Sequence, residues 1–119
     1  MSESSIVSAE LHEQTWIVRL THPELDSVAS EQLSQELGEL AERVVAGPVV
    51  LDLSSVSFLQ STALGALITF RNRLKGQGGQ VVLAGLAPQI LRAITVTRLD
   101  VLFGVYDDVD QALKALQAD

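Results

Sequence analysis

The stretch from Leu51 to Leu67, LDLSSVSFLQSTALGAL, decides the fold of this chain. An apolar run that ends at Leu53 predicts a buried strand, and a polar connection leads from it to a helix that begins at Ser61. Ser61 and Thr62 therefore place two hydroxyls in the positive field of a helix N-terminus, where backbone N–H groups are free. Such a position suits either a plain helix cap or a phosphate that is added and removed.

The composition is that of one globular domain over residues 1–119, with 47% hydrophobic residues and no cysteine. A chain of this length buries a core without disulfides or a structural metal, and it has no apolar run of the roughly 20 residues needed to cross a bilayer. Residues 1–10 contain neither a basic nor a hydrophobic segment, so no secretory signal is predicted. We therefore expect a cytoplasmic protein with no cofactor, no metal site and no direct membrane insertion.

Negative charge is concentrated in the N-terminal part of the chain. The net charge is −7, and residues 1–46 carry nine carboxylates against Arg19 and Arg43, whereas charges in the later residues balance. Such a surface repels the phosphate backbone of nucleic acids, so nucleic acid is not an expected partner. Two interpretations stay open: a solvated helix face that keeps the protein in solution, or a face that steers a basic protein partner.

Hydrophobic periodicity predicts strands and helices in the order β-β-α-β-α-β-α-β-α. The strands are predicted at residues 6–11, 16–20, 49–53, 80–84 and 101–106, and the helices from about 30 to 45, from 61, from 88 and from about 109. Leu91 and Ile94 of the third helix are predicted to face inward, and Asp107 or Asp108 to cap the last. Single helices between strands imply crossover connections, so we expect an α/β fold with a mixed, mostly parallel sheet, an antiparallel edge hairpin and about four helices mainly on one face.

The opening stretch resembles the signature of the STAS domain, the fold of bacterial anti-sigma factor antagonists. That signature is a strand that ends in D-L, a V-x-F spacer, and a loop D-S-[S/T]-G-L-G that opens the next helix. The residues that match it here are Asp52, Leu53, Val56, Phe58, Ser61, Thr62, Leu64 and Gly65. The turn Glu24-Leu25-Asp26 and the C-terminal helix also resemble the family, so the likeness covers nearly the whole chain.

The resemblance implies a protein-interaction switch with no catalytic residue. In this family the unphosphorylated form binds an anti-sigma factor kinase and thereby releases a sigma factor, which regulates transcription. Phosphorylation of Ser61, with Thr62 as second choice, would end this binding, and the protein would be a monomer or a weak dimer. The implied contact residues are Glu24, Leu25, Asp26, Ser57, Phe58, Gln60, Ser61, Thr62 and Ala63.

Two residues depart from the family pattern. Gln60 replaces the Asp that precedes the phosphorylated serine, and Ala63 replaces the first Gly of the loop. The first change removes a carboxylate that can help to hold a divalent ion, and also a charge that would oppose a new phosphate. The lost carboxylate fits a second hypothesis, an accessory subunit that docks on the ATPase of an ABC-type lipid transporter without phosphorylation. A scaffold inside a larger stress-sensing complex is a third hypothesis.

Several polar residues have structural explanations beside the functional ones. Asp26 either caps the loop before the first helix through an Asx-turn or lies beside the phosphoacceptor loop, and the two roles are compatible. Asp52, at the end of a strand, is expected to accept hydrogen bonds from loop N–H groups. A hydrolase nucleophile at Ser61 is rejected, because both histidines, His12 and His22, precede it and the glycines of G-x-S-x-G are absent.

A group of cations lies near the end of the second predicted helix. Arg71, Arg73 and Lys75 fit the negative end of the helix dipole, and binding of an acidic partner is the alternative explanation. The glycines that follow them come after a helix and before a strand, whereas a phosphate-binding loop follows a strand and opens a helix. We therefore interpret the segment Gly76–Gly79 as a turn.

Overall fold

The computed structural model describes residues 5–44 and 47–117, and its elements follow the predicted order with three short additions. The strands are β1 (Val7–His12), β2 (Thr15–Leu20), β3 (Glu24–Leu25), β4 (Pro48–Asp52), β5 (Phe58–Leu59), β6 (Gln80–Ala84) and β7 (Gly104–Tyr106). The helices are α1 (Ser27–Arg43), α2 (Ser61–Gly76), α3 (Pro88–Val96) and α4 (Val109–Gln117), with a turn of 3₁₀ helix at Leu99–Val101. Within the described ranges, no helix has the length and apolar character to span a membrane.

Five strands form one sheet in the spatial order β1-β2-β4-β6-β7. β1 pairs antiparallel with β2, and the other three pairings are parallel. The predicted α/β fold, with a mostly parallel sheet and an antiparallel edge hairpin, is therefore confirmed. The carboxyl ends of the parallel strands lie at one edge of this sheet, and the loop after β4 leaves from that edge. β3 and β5 form a separate two-stranded parallel sheet beside it.

The main core lies between the sheet and helices α1, α2 and α3. Strand alternation places Val18, Leu51 and Leu83 side by side on this face, and all three are fully buried. α1 and α2 pack against each other over these residues, and Ile90 and Ile94 of α3 complete the same cluster. Because this face is buried under three helices, its strand positions are filled by branched aliphatic side chains.

The opposite face of the sheet is covered by α4. Ala112 of this helix packs with Val50, Val82 and Ala84 in a smaller second cluster. Asp108 caps α4, since its carboxylate accepts a hydrogen bond from the N–H of residue 111 at 2.8 Å. Of the four helices in the described chain, three lie on the main core face, so the prediction of helices mainly on one face is confirmed.

The first helix begins three residues earlier than predicted. The carboxylate of Asp26 accepts a hydrogen bond from the N–H of Ala29 at 3.0 Å, which caps α1 so that it starts at Ser27. The predicted start at Ser30 is therefore wrong. The helix ends at residue 43, and the predicted end at Val45 lies outside the described residues.

The region between α3 and β7 differs most from the prediction. Leu91, expected to face inward, is 39% exposed, and Ile90 occupies the core position instead. Arg98 adopts a left-handed conformation with a φ of 62°, and the chain then forms the 3₁₀ turn. β7 consequently starts at Gly104, and the predicted strand over residues 101–103 is wrong. A left-handed residue and a tight turn interrupt the extended backbone that a strand needs.

Replacing Leu83 with Ala tests the importance of the main core. This residue is fully buried in an interior strand, so we expect a loss of about 2–5 kcal/mol in the free energy of unfolding, measured by urea denaturation. Leu11→Ala is the matched control, because Leu11 is 57% exposed on the edge strand β1, and it should cost no more than about 0.5 kcal/mol. Equal losses in the two variants would contradict this assignment of the core.

Candidate partner-binding site

The loop after β4 is held against the turn that precedes α1. The carbonyl oxygen of Pro23 accepts hydrogen bonds from the N–H groups of Ser57 at 2.8 Å and Phe58 at 3.2 Å. The strands β3 and β5 then pair in parallel, and the N–H of Gln60 donates to the carbonyl oxygen of Leu25 at 3.0 Å. These bonds bring the N-termini of α1 and α2 together. The two groups of predicted contact residues, at positions 24–26 and 57–63, are therefore adjacent.

Ser61 is the first residue of α2 and not its cap. The cap position is occupied by Gln60, whose side-chain amide donates to the hydroxyl oxygen of Ser27 at 3.0 Å and does not cap the helix. Ser61 and Thr62 are exposed, and within residues 5–44 and 47–117 neither hydroxyl has a hydrogen-bonding partner. Their backbone N–H groups are also free of partners in these ranges. The interpretation of Ser61 as a helix cap is therefore wrong, and its hydroxyl lies where a negative charge is favoured.

Asp26 combines the two roles that the sequence left open. Its carboxylate caps α1 through Ala29, and its carbonyl oxygen accepts a hydrogen bond from the hydroxyl of Ser30 at 2.6 Å. Residue 26 also directly follows β3, which pairs with β5, so the cap of α1 lies beside the loop that leads to Ser61. The same carboxylate thus fixes the start of a helix and adds negative charge to this surface.

Asp52 holds the start of the loop, as predicted for a structural acceptor. Its carboxylate is nearly buried, accepts the N–H of Ser54 at 3.0 Å and lies 3.5 Å from Nε of Arg19. Arg19 also contacts Glu10 at 2.7 Å, so it links the antiparallel edge to the centre of the sheet. Gly85, with a φ of 75°, passes so closely that a Cβ there would lie 3.2 Å from the Asp52 carboxylate. Sequence reasoning misses Arg19, because neither strand alone indicates the β2–β4 pairing that places it beside Asp52.

Most of the predicted contact residues lie at the molecular surface. We define the contact surface as the seven that do: Glu24, Asp26, Ser57, Phe58, Gln60, Ser61 and Thr62. Phe58 is 49% exposed, which is unusual for an aromatic side chain in a chain with few aromatics. Leu25 and Ala63 are fully buried, so these two predicted contact residues support the surface from below and do not present side chains to a partner.

Two residues that sequence reasoning misses also belong to this region. The side-chain amide of Gln89 donates to the carbonyl oxygen of Ser57 at 2.8 Å and so connects α3 to the loop. No pattern in the sequence marks this contact. Val28 is 78% exposed and directly follows Ser27, to which Gln60 is bonded. The sequence does contain a signal for Val28, because its position in α1 falls outside the helical spacing of the buried residues, so an exposed apolar side chain is expected there.

The fold and this loop define the class of protein to which the chain belongs. A mostly parallel sheet carries an exposed serine at the first position of the helix that follows its central strand. A sequence model described as the STAS domain matches residues 7–112. The chain therefore belongs to the STAS domain family.

Several proteins with more specific names match this chain over nearly its whole length. The anti-sigma F factor antagonist of Paenibacillus polymyxa is 26% identical over 111 residues, which are 93% of this chain and 94% of the relative. The crystal structure of an anti-sigma factor antagonist from Mycobacterium paratuberculosis has a TM-score of 0.79 at 32% identity and covers 93% of this chain and 92% of that one. SpoIIAA of Bacillus, in its unphosphorylated form, has a TM-score of 0.75 at 18% identity, with 95% and 97% covered, which shows the fold. The chain is an antagonist-like STAS domain with a SpoIIAA-like fold.

The Asp26→Ala variant tests the cap of α1. Removal of the carboxylate leaves the N–H of Ala29 without its acceptor, so we expect the free energy of unfolding to fall by about 1 kcal/mol in urea denaturation. Asp26→Asn is the matched control, because its amide oxygen can accept the same hydrogen bond, and it should lose only a few tenths of a kcal/mol. If both variants lost the same stability, the negative charge rather than the cap would be the stabilising feature.

Proposed function

We propose that the chain is an anti-sigma factor antagonist that acts as a phosphorylation-controlled binding module in the cytoplasm. Its unphosphorylated form binds an anti-sigma factor kinase through the contact surface and so releases a sigma factor. The observation that carries the proposal is the exposed, unbonded hydroxyl of Ser61 at the start of α2. The Paenibacillus relative matches nearly the whole chain, and its name supports the same role. The chain's own contribution in this proposal is binding and not catalysis.

The position of Ser61 explains how the fold would tolerate a phosphate. A phosphoserine carries a charge of about −1.5 to −2 and several strong acceptor oxygens. At the first position of α2 these oxygens lie near the unbonded N–H groups of Ser61 and Thr62 and in the positive field of the helix. The neutral side chain of Gln60 adds no further negative charge next to the modified residue. We therefore expect phosphorylation to leave the domain folded.

The same phosphate would oppose binding of a partner. Ser61 lies in the contact surface with Glu24, Asp26 and the half-exposed ring of Phe58. In this proposal the partner covers the ring with an apolar pocket and meets the carboxylates with basic residues. A phosphate on Ser61 would add bulk at the centre of this interface, and the dianion would have to give up much of its hydration there, which is costly. Phosphorylation thus acts on the interface and not on the fold.

The transporter-subunit hypothesis rested on the loss of an acidic residue at Gln60. In the structure, the amide of Gln60 bonds to Ser27 and leaves the hydroxyl of Ser61 exposed. The change at residue 60 therefore neither removes nor buries the Ser61 hydroxyl, which is the group that would accept the phosphate. For this reason, and because of the relative's name, we favour the antagonist over docking on a transporter ATPase.

Incubation of the protein with its cognate anti-sigma factor kinase and ATP tests the proposal directly. We expect mass spectrometry to locate one phosphate on Ser61, and we expect Ser61→Ala to abolish the modification, because the neighbouring hydroxyl of Thr62 is the weaker candidate. Ser55→Ala is the matched control, since Ser55 is an exposed serine in the same loop and should leave phosphorylation unchanged. Absence of phosphate from both Ser61 and Thr62 would refute the switch.

The Phe58→Ala variant tests the position of the interface. Exposed aromatic side chains commonly anchor protein interfaces. We therefore expect the unphosphorylated variant to bind the anti-sigma factor kinase about tenfold or more weakly than the unchanged protein, measured by calorimetry. The side chain is half exposed, so the variant should remain folded. Val96→Ala removes an apolar side chain that is 74% exposed on α3, outside the contact surface, and should bind normally. Normal binding by Phe58→Ala would place the interface elsewhere.

A further inference from the structure

A cleft lies under the C-terminal half of α2, at the end of the sheet opposite Ser61. Its volume is about 480 Å³, within the range of small-molecule pockets. Among the residues that line it are Arg71 and Lys75 of α2, Gly79 and Gln80 at the beginning of β6, and Val101, Leu102 and Gly104 around the start of β7. Arg71 follows Ser61 by ten residues, which corresponds to about 15 Å along the helix. The cleft is therefore separate from the contact surface.

The two cations in this cleft are not both explained by the helix dipole. Lys75 lies in the last turn of α2, where the dipole stabilises a positive charge, but Arg71 lies outside that turn. Two cations four residues apart on one helix also repel each other. Neither forms a salt bridge in the described part of the chain, and Arg71 uses one N–H to contact Asn72 at 3.0 Å. Most donors of its guanidinium group remain available.

The surroundings of these cations favour a particular kind of ligand. Among the described residues that line the cleft there is no Asp or Glu, although the chain as a whole has a net charge of −7. Beside the cations, Leu102 is 37% exposed and Val101 is 72% exposed. Because both apolar side chains are accessible beside the cations, an anion that carries a short apolar group can contact them while its charge lies against Arg71 and Lys75. A guanidinium group matches phosphoryl oxygens with paired N–H donors, whereas an ammonium group acts as a point charge.

We propose that this cleft binds a small organic phosphate, with Arg71 and Lys75 contacting the phosphoryl oxygens and the apolar group lying against Val101 and Leu102. The ligand would relieve the repulsion between the two cations, neither of which forms a salt bridge in the described chain. This site goes beyond the proposed switch, because it uses neither Ser61 nor any residue of the contact surface. A failure of one proposal leaves the other intact.

Titration of the full chain with butyl phosphate at constant ionic strength, followed by ¹H–¹⁵N NMR, tests the site. We expect saturable shifts at the amides of Gly79, Gln80, Leu102 and Gly104, and weaker binding of inorganic phosphate, which lacks the apolar group. Arg71→Gln and Lys75→Gln should each weaken binding by about tenfold, because each removes a charge-assisted contact. If Arg71→Gln fails to fold, Arg71→Lys, which keeps the charge and loses the paired donors, should show the same direction of change.

Arg73→Gln is the matched control, because it removes the same charge from the last turn of α2 at a residue that does not line the cleft. It should change the affinity by less than about twofold. An equal loss in Arg73→Gln would refute the site, since the ligand would then respond only to general surface charge. Shifts confined to Ser61 and Thr62 would also refute it, and so would the absence of saturation at millimolar concentrations. Sedimentation with phosphatidylglycerol vesicles that required Arg71 would support the same chemistry and assign the phosphate to a lipid headgroup.

Discussion

The hydrogen bonds between the turn at Pro23 and the loop at Ser57 are the constraint on which this surface depends. One carbonyl oxygen accepts two N–H groups, and a two-residue parallel ladder continues the contact up to Gln60. The two segments are more than thirty residues apart in sequence, so only the completed sheet brings them together. Once they are joined, α1 and α2 begin side by side, and an isolated helix end becomes part of a surface. A modification at one helix start is therefore adjacent to residues supplied by the other.

The neutral residue at the start of α2 changes the electrostatics of this surface. Gln60 occupies the cap position without capping, and its amide is used to contact Ser27 at 3.0 Å. The N–H groups at the beginning of the helix are consequently left for solvent or for an anion. A carboxylate at this position would occupy or screen part of that positive field. The chain thus combines an acidic N-terminal half with a helix start at which added negative charge is stabilised.

The parts of the fold that follow from local chemistry could be predicted from the sequence. The alternation in β2 and the branched residues of β4 and β6 identify the sheet, and the turn glycines mark its connections. The inward residue of α3 could not be chosen, because Ile90 and Leu91 are adjacent and both apolar, and only the packing of α3 on the core selects Ile90. The left-handed conformation of Arg98 could not be predicted from the sequence, because such positions are usually occupied by Gly or Asn and not by Arg. The extended assignment of residues 101–103 failed for that reason.

The site shows the same division between local and long-range information. The hydroxyl of Ser61 at a helix start follows from the strand and helix patterns, and the role of Asp52 follows from its place at a strand end. Whether Ser61 or the residue before it occupies the cap position could not be decided, because boundaries shift by one residue without changing the hydrophobic pattern. The contacts of Arg19 and Gln89 depend on which strands and helices become neighbours. Sequence therefore locates the candidate hydroxyl, and tertiary structure determines what surrounds it.

The two ends of α2 differ in the polar groups that the fold leaves exposed there. At its start, free N–H groups and an exposed hydroxyl favour a negative charge on the protein itself. At its end, Lys75 and Arg73 are stabilised by the helix, whereas Arg71, one turn earlier, has no carboxylate partner in the described chain. Arg71 is half-buried and lies outside the last turn, so its place beside Val101 and Leu102 of the neighbouring turn needs an explanation other than the dipole. An anion in the cleft supplies one, because it interacts with both cations at once.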